Sequence, residues 1–370
     1  MSKTFLDKKL KERKVLNAFR SLKISSETID LSSNDYLGIT KNKLIDTKDR
    51  KGDHSSTGSR LLSGNYKLIE EAENFIATIH KAEAGLIFNS GYDANIGLLS
   101  CVPQKDDVIL YDELIHASAR DGMRLSFAST QRFKHNNVAD LKEKLKQARS
   151  SAKEIFVVTE SVFSMDGDIA PLKLIQESCA QYEAHLIVDE AHATGIIGAQ
   201  GFGLVLHLGL EDNCFARLHT FGKACGAHGA IILGSEELRQ YLINFSRPFI
   251  YSTALPETSV QAILSSYQIF PSLNNERAHL KDLISFFKLS INKGASNQQV
   301  KILQSETAIQ GMIIPGNENV KAVALRLQNN NLDVRPILYP SVPKLRERLR
   351  IVLHSFNTKE EIAMLCNALA

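Results

Sequence analysis

A chain of 370 residues, 44% hydrophobic and 23% charged, is long enough for one large folded unit with a smaller companion and too apolar to stay disordered. A formal net charge of +3 argues against nucleic acid as a partner, and the dense basic stretch Lys8-Lys9 to Lys14 lies opposite Phe5, Leu6, Leu10 and Leu16 in a helical pattern, as a solvated helix face does. Five scattered cysteines without a CxxC pair exclude a disulfide framework and a structural zinc. With no membrane-length apolar run and a charged start, a cytoplasmic protein without membrane or metal is expected.

From about residue 66 helical periodicity alternates with short apolar runs. Helices are predicted over 68–81, 94–101, 138–149 and 172–183, and strands over 86–88, 108–111, 155–159, 185–188 and 230–233. Strands this short and continuously apolar are buried on both faces, so the fold class is α/β, a mostly parallel central sheet flanked by helices. After Phe270 the texture changes: polar stretches at 272–277 and 293–299 precede a strand over 308–314, a helix over 318–329, a strand over 350–353 and a final helix from Thr358. That pattern reads as a smaller C-terminal α+β domain. The expected division is an N-terminal helical segment 1–33, a large domain 34–270 and a C-terminal domain 271–370.

Ligands of open α/β sheets collect beyond the carboxyl ends of the strands. Asp189 and His192 follow the predicted strand 185–188, and Lys223 follows another short stretch, with Gly222, Ala224, Gly226 and Gly229 around it. Together they match what pyridoxal phosphate requires: a lysine for the Schiff base, an acid for the pyridinium nitrogen and an imidazole for the ring oxygen. The string Asp189-Glu190-Ala191-His192 also resembles the magnesium-binding segment of a helicase-type ATPase. That reading needs an upstream GxxxxGK[ST] loop, and the Gly222-Lys223 pair is downstream and followed by Ala224. Ser90-Gly91-Tyr92 opens a helix after a strand, a ready phosphate seat. A second polar loop, 54–65, surrounds Arg60 and reads equally well as a flexible connection. His116 and Ser164 follow two further strands; each also reads as a helix-start or turn residue. Arg346, Arg348 and Arg350 alternate near a strand entrance, where a guanidinium fork could take a carboxylate, although a charged surface strand end accounts for two of the three.

These residues resemble the pyridoxal-phosphate-dependent α-oxoamine synthases, of fold type I architecture. The resemblance runs nearly end to end, through Ser33-Asn34-Asp35-Tyr36-Leu37-Gly38, Gly58-Ser59-Arg60-Leu61-Leu62-Ser63-Gly64, Asn89-Ser90-Gly91-Tyr92, Ser164-Met165-Asp166-Gly167-Asp168, the segments around Asp189 and Lys223, Tyr251-Ser252-Thr253-Ala254 and Arg348-Leu349-Arg350. It implies that Lys223 carries the cofactor and moves the α-proton, Asp189 pairs the pyridinium nitrogen, His192 bonds the phenolic oxygen and His116 stacks on the ring. It further implies cofactor contacts from Ser164 and Thr220, phosphate binding at Gly91 and Tyr92, and Thr253 reaching the phosphate from a partner subunit of a homodimer. Arg350 is implied to take the amino acid carboxylate, and Asn34, Arg20 and Ser341 match substrate-contact positions. The Gly58–Gly64 loop favours the branch that condenses L-alanine with a pimeloyl thioester of CoA or acyl carrier protein. A sister synthase using glycine, serine or another acyl chain, and an aminotransferase, are the rival readings. The sequence departs from the family at Ala193, in place of a glycine, in a short stretch 41–53, and in the segment 338–343, which lacks an arginine for which Arg335 could substitute.

Overall fold

Runs such as Leu86-Ile87-Phe88 and Phe156-Val157-Val158 have no polar face, and only a sheet covered on both sides can bury them. The computed structural model, which describes residues 4–22, 24, 28–45, 52–294 and 301–369, puts them in a seven-stranded sheet. Its strands are β1 (Ala84–Phe88), β2 (Val108–Asp112), β3 (Ser129–Phe133), β4 (Ile155–Glu160), β5 (His185–Asp189), β6 (Ala216–Thr220) and β7 (Ala230–Gly234). The spatial order is β1-β7-β6-β5-β4-β2-β3. Neighbours from β6 through β3 are parallel, and β7 alone is antiparallel to the strand on either side. The mostly parallel sheet expected from the sequence is borne out.

Alternation along the strands separates two cores. Ile109, Phe156, Val158, Ile187, Ala216 and Leu218 join one cluster with Ala94, Leu98, Ala119 and Met123, the latter four from helices α1 (Gly91–Cys101) and α2 (Ala117–Leu125). Leu110, Val157, Leu186 and Val188 join the other, beneath the helices Val138–Arg149 and Leu172–Gln181. Each fully buried branched side chain contributes roughly 1.5–3 kcal/mol. The period of two then places the last residues of β4, β5 and β6, namely Glu160, Asp189 and Thr220, on the face covered by α1 and α2.

β6 was not read as a strand from the sequence, because Arg217 and His219 interrupt its apolar character. Both are buried, each with a partner from a remote segment: Arg217 Nη1 donates to His80 O at 2.9 Å, and His219 Nδ1 lies 2.8 Å from Thr194 Oγ1. Burial pulls the His219 pKa well below its ordinary value, so the ring is neutral.

Contact clustering separates this unit, Leu37–Ser164 with Ile169–Asn275, from a second one, Met1–Tyr36 with Met165–Asp168 and Glu276–Ala370. The second contains an antiparallel sheet of β8 (Lys301–Ile302), β9 (Ile309–Ile313), β10 (Arg335–Ile337) and β11 (Arg348–Val352), in the order β10-β11-β9-β8, with helices Asn317–Asn329 and Lys359–Leu369. The polar stretch at 272–277 opens the helix Asn274–Gly294; of the other polar stretch, 295–299 lies outside the described residues. The short stretch 41–53 likewise includes 46–51, outside the described residues. Gly167 sits at φ +75°, and a Cβ there would meet Ile309 O at 2.1 Å, so the turn admits only glycine.

The loop around Arg60 is anchored. Arg60 Nη1 and Nη2 donate to the two Glu73 carboxylate oxygens at 2.7 and 3.0 Å, both side chains are buried, and Glu73 Oε1 also accepts the Ile87 N–H at 2.8 Å. Removing one partner would leave the other as an uncompensated buried charge. Glu73→Ala is therefore expected to destabilise the protein by about 3–5 kcal/mol, read as a shifted midpoint in urea unfolding.

Candidate active site

The carboxyl ends of β4, β5 and β6, with the first turn of α1, form one corner of the larger unit. Asp189, 8% exposed, ends β5; its Oδ1 accepts the Ala191 N–H at 2.9 Å and its Oδ2 accepts the Asn95 amide at 2.9 Å. Three residues on, His192 turns its Nε2 to within 2.8 Å of Lys223 Nζ. Lys223 lies in the short connection from β6 to β7, closed by Phe221 N to Gly229 O at 2.9 Å, Ala227 N to Phe221 O at 2.8 Å and Gly226 N to Lys223 O at 2.9 Å. Gly226 at φ +59° and Gly229 at φ +109° make that tight path accessible. Lys223, 31 residues beyond His192, thus stands with the histidine and the acid at the carboxyl ends of the strands.

Glu190 points away from this corner. It is fully buried, its Oε1 accepts the Val205 N–H at 3.2 Å, and burial pushes its pKa up to about 7. A magnesium-binding acid pair would need both carboxylates on one site, so the ATPase reading of Asp189-Glu190 fails. Ala193, in place of the expected glycine, is buried among the apolar side chains beneath the sheet.

At the first turn of α1 the Ser90 hydroxyl accepts the Asp93 N–H, and Ser90 O accepts the Ala94 N–H. The Gly91 and Tyr92 N–H groups are the open donors of that helix end, at its positive pole. A Cβ on Gly91 would come within 2.5 Å of Thr220 Cγ2, so the close approach of α1 to the end of β6 depends on glycine. The Thr220 hydroxyl oxygen is buried without a partner among the described residues. An open pair of N–H groups beside an unpartnered hydroxyl is what a phosphate would satisfy. Asn89 Nδ2 donates to Thr253 O at 2.8 Å, which brings the Thr253 backbone of the same chain beside this turn while its side chain is exposed.

His116 caps α2. Its backbone N–H donates to Glu160 Oε1 at 2.6 Å, and its Nδ1 lies 2.7 Å from Ser118 Oγ. Burial and the Lys223 charge lower its pKa, against a raising influence of Asp189. Ser164 is 9% exposed, and its backbone N–H bonds to Glu160. Glu160 was missed in the sequence although it ends an apolar strand as Asp189 does, and the two are register partners. Burial raises the Glu160 pKa to about 8, helped by the Asp189 charge and opposed by Lys223 and the His116 and Ser164 N–H groups. Asn95 and Ser118 were missed as well; the readable signal was a polar residue on the otherwise apolar inner face of α1.

The second unit brings the other expected residues together in pairs. Arg350 Nη2 donates to Asn34 Oδ1 at 2.9 Å, and Arg20 Nη2 donates to Ser341 Oγ at 2.9 Å. Arg348 is not a surface residue: it is buried in an ion pair with Asp166. Arg335, a candidate stand-in for the missing arginine, gives its Nε and Nη2 to Asp333 at 2.7 and 3.0 Å.

The sequence profile of the family described as Aminotransferase class I and II matches residues 26–369. The chain belongs to that family. Among relatives in the aminotransferase class I and II family, an 8-amino-7-oxononanoate synthase of Emericella nidulans is 39% identical, over 94% of this chain and 90% of its own. An 8-amino-7-oxononanoate synthase structure from Francisella tularensis is 28% identical, with a TM-score of 0.76 over 93% of this chain and 98% of that one. A serine palmitoyltransferase structure solved with PLP is 25% identical, with a TM-score of 0.87 over 99% of this chain and 96% of that one. The two measures rank the relatives differently. Backbone likeness reports the shared fold, while side-chain identity follows the residues that line a site, so the 39% likeness bears more on chemistry. It bears out the resemblance to the α-oxoamine synthases.

Glu160 stays protonated in the folded protein up to about pH 8 and ionises near 4.5 when unfolded. The folded state therefore holds the extra proton in that window, and this group makes stability fall as pH rises through it. Glu160→Gln removes the contribution. The Tm of the cofactor-free variant, measured between pH 5 and 8, is expected to decline less with pH than that of the parent protein.

Proposed function

We propose that the chain condenses L-alanine with pimeloyl-CoA, or with pimeloyl-acyl carrier protein, to give 8-amino-7-oxononanoate, CO2 and the free thiol, a step of biotin synthesis. The 2.8 Å approach of Lys223 Nζ to His192 Nε2, beside a buried Asp189, carries the reading. The names of the relatives supply the substrates. Pyridoxal phosphate, when bound, supplies an electron sink for the amino acid's α-carbon.

The residues divide the work. Lys223 Nζ holds the cofactor, then takes the α-proton of alanine and later returns it. Asp189, fixed by two donors, would pair the pyridine nitrogen, an electrostatic contribution in place before the reaction starts. His192 would bond the ring oxygen, Ser164 would contact the cofactor, and His116 would stack on the ring. The Gly91 and Tyr92 N–H groups and the Thr220 hydroxyl hold the phosphate. Arg350, with Asn34, would grip the alanine carboxylate while the new carbon–carbon bond forms and the thiol leaves; that carboxylate is then lost as CO2. Arg20 and Ser341 contact the acyl substrate.

A homodimer, with Thr253 reaching the partner's phosphate, is part of the proposal. Leu62, Leu125, Phe127 and Tyr251 are 62–83% exposed, and each is a large apolar side chain whose burial would favour association with a second copy. The free cysteines support a reducing, cytoplasmic compartment. No helix among the described residues is long and apolar enough to cross a membrane.

Thiol release should require both alanine and the pimeloyl thioester, with glycine and serine at least about tenfold less effective in kcat/KM. Serine as the preferred substrate would favour the palmitoyltransferase-like rival, and amino-group transfer to the cofactor with alanine alone would favour an aminotransferase. Lys223→Ala is expected to lower turnover by a factor of about a thousand or more, and Arg350→Leu to raise the alanine KM about tenfold.

A further inference from the structure

Two side chains outside the expected set bridge the acid and the histidine. Asn95, on α1, is 4% exposed, and its Nδ2 lies 2.9 Å from Asp189 Oδ2 and 3.0 Å from Ser118 Oγ. Ser118, on α2, is 1% exposed; its Oγ lies 2.7 Å from His116 Nδ1, and its backbone N–H donates to the same ring nitrogen at 3.2 Å. The hydrogens follow from this geometry. A carboxylate oxygen accepts only, so the Asn95 atom facing it must be the amide nitrogen, which has two hydrogens and gives one to each neighbour. Ser118 Oγ then receives one bond and sends its own hydrogen to His116 Nδ1. That nitrogen accepts twice and carries no proton, which leaves the imidazole proton on Nε2.

We propose that Asn95 is a positioning residue that orients two members of the site at once: it donates to Asp189 directly and, through Ser118, fixes His116 as the Nε2–H tautomer. Its action on Asp189 is geometric: the bond to Oδ2, with the Ala191 N–H on Oδ1, fixes the orientation of the carboxyl group. Its action on His116 follows from direction: an Asn95 amide hydrogen aimed at Ser118 Oγ turns the hydroxyl's own hydrogen away from Asn95 and toward His116 Nδ1, where it joins the Ser118 backbone N–H. Glu160, accepting the His116 backbone N–H from the end of β4, holds the same residue from behind. The kinetic consequence rests on the proposed function; the tautomer does not, because it belongs to the protein alone.

The test uses Asn95→Asp, of the same shape but with the donor replaced by a carboxyl, together with Asn95→Leu and Ser118→Ala. In cofactor-free protein labelled with 15N-histidine, the His116 signal, assigned by its loss in His116→Gln, should report the Nε2–H tautomer at neutral pH. Ser118→Ala and Asn95→Leu should each raise the Nδ1–H fraction, with the backbone N–H of residue 118 left as the sole donor that holds the Nε2–H form in Ser118→Ala. With pyridoxal phosphate added, Asn95→Asp should raise its dissociation constant and lower kcat by roughly ten- to hundredfold, the range seen when an outer partner of a ligating group is lost, with the alanine KM changed less. Ser118→Ala should leave the cofactor's affinity nearer to that of the parent. A residue that merely fills space would tolerate the isosteric Asn95→Asp. A parent His116 signal of the Nδ1–H form, or Asn95→Asp with unchanged cofactor affinity and kcat, would overturn the proposal. Should Asn95→Asp fail to fold, the histidine signals of Ser118→Ala decide it, and unchanged signals there would overturn it. If the parent protein fails to bind pyridoxal phosphate, the functional reading falls while the histidine signals still judge the bridge.

Discussion

A nearly buried carboxyl group whose two oxygens must both find partners is the demand around which this corner of the larger unit is arranged. Asp189 is 8% exposed, and a polar group taken out of water costs free energy unless it is bonded. Two donors meet that need, the Ala191 N–H from the turn that follows its strand and the Asn95 amide from the helix above. The neighbouring strand ends in a second carboxyl on the same face, and two such groups side by side cannot both ionise cheaply. The division falls unevenly, with Glu160 pushed toward its neutral form. The backbone N–H groups of His116 and Ser164 that bond to Glu160 tie that neutral partner to two walls of the same corner.

The second unit handles charge by pairing. Of its arginines near the strand entrance, Arg348 is matched to Asp166 and Arg335 to Asp333, so neither fork is open to a ligand's carboxylate. Arg350, one residue further along the same strand as Arg348, donates instead to the Asn34 amide oxygen, so two arginines of one strand meet different partners.

Much of this was legible in the chain. Continuous apolar runs gave away the sheet, and the residues just past them, Asp189, His192 and Lys223, fell where strand ends gather ligands. What stayed hidden had polar letters in buried places. β6 was obscured by Arg217 and His219, whose partners come from remote segments. Asn95 and Ser118 look like ordinary helix residues until two helices close over the sheet and bring them to Asp189 and His116. The loop around Arg60 read equally well as a flexible connection because its buried ionic partner, Glu73, lies in the next helix. In each case periodicity reports which face a residue occupies, but not which distant group meets it there.

The single reversed strand has a consequence for the lysine. A parallel successor to β6 would have required a long crossover through a helix, whereas the antiparallel β7 lets the chain turn back at once, with Phe221 bonded across to Gly229. Lys223 therefore rides on a backbone stapled at both ends to adjacent strands. An amine so mounted moves by swinging about its own carbon chain while its anchor stays still, and the distance back to His192 never has to be searched for.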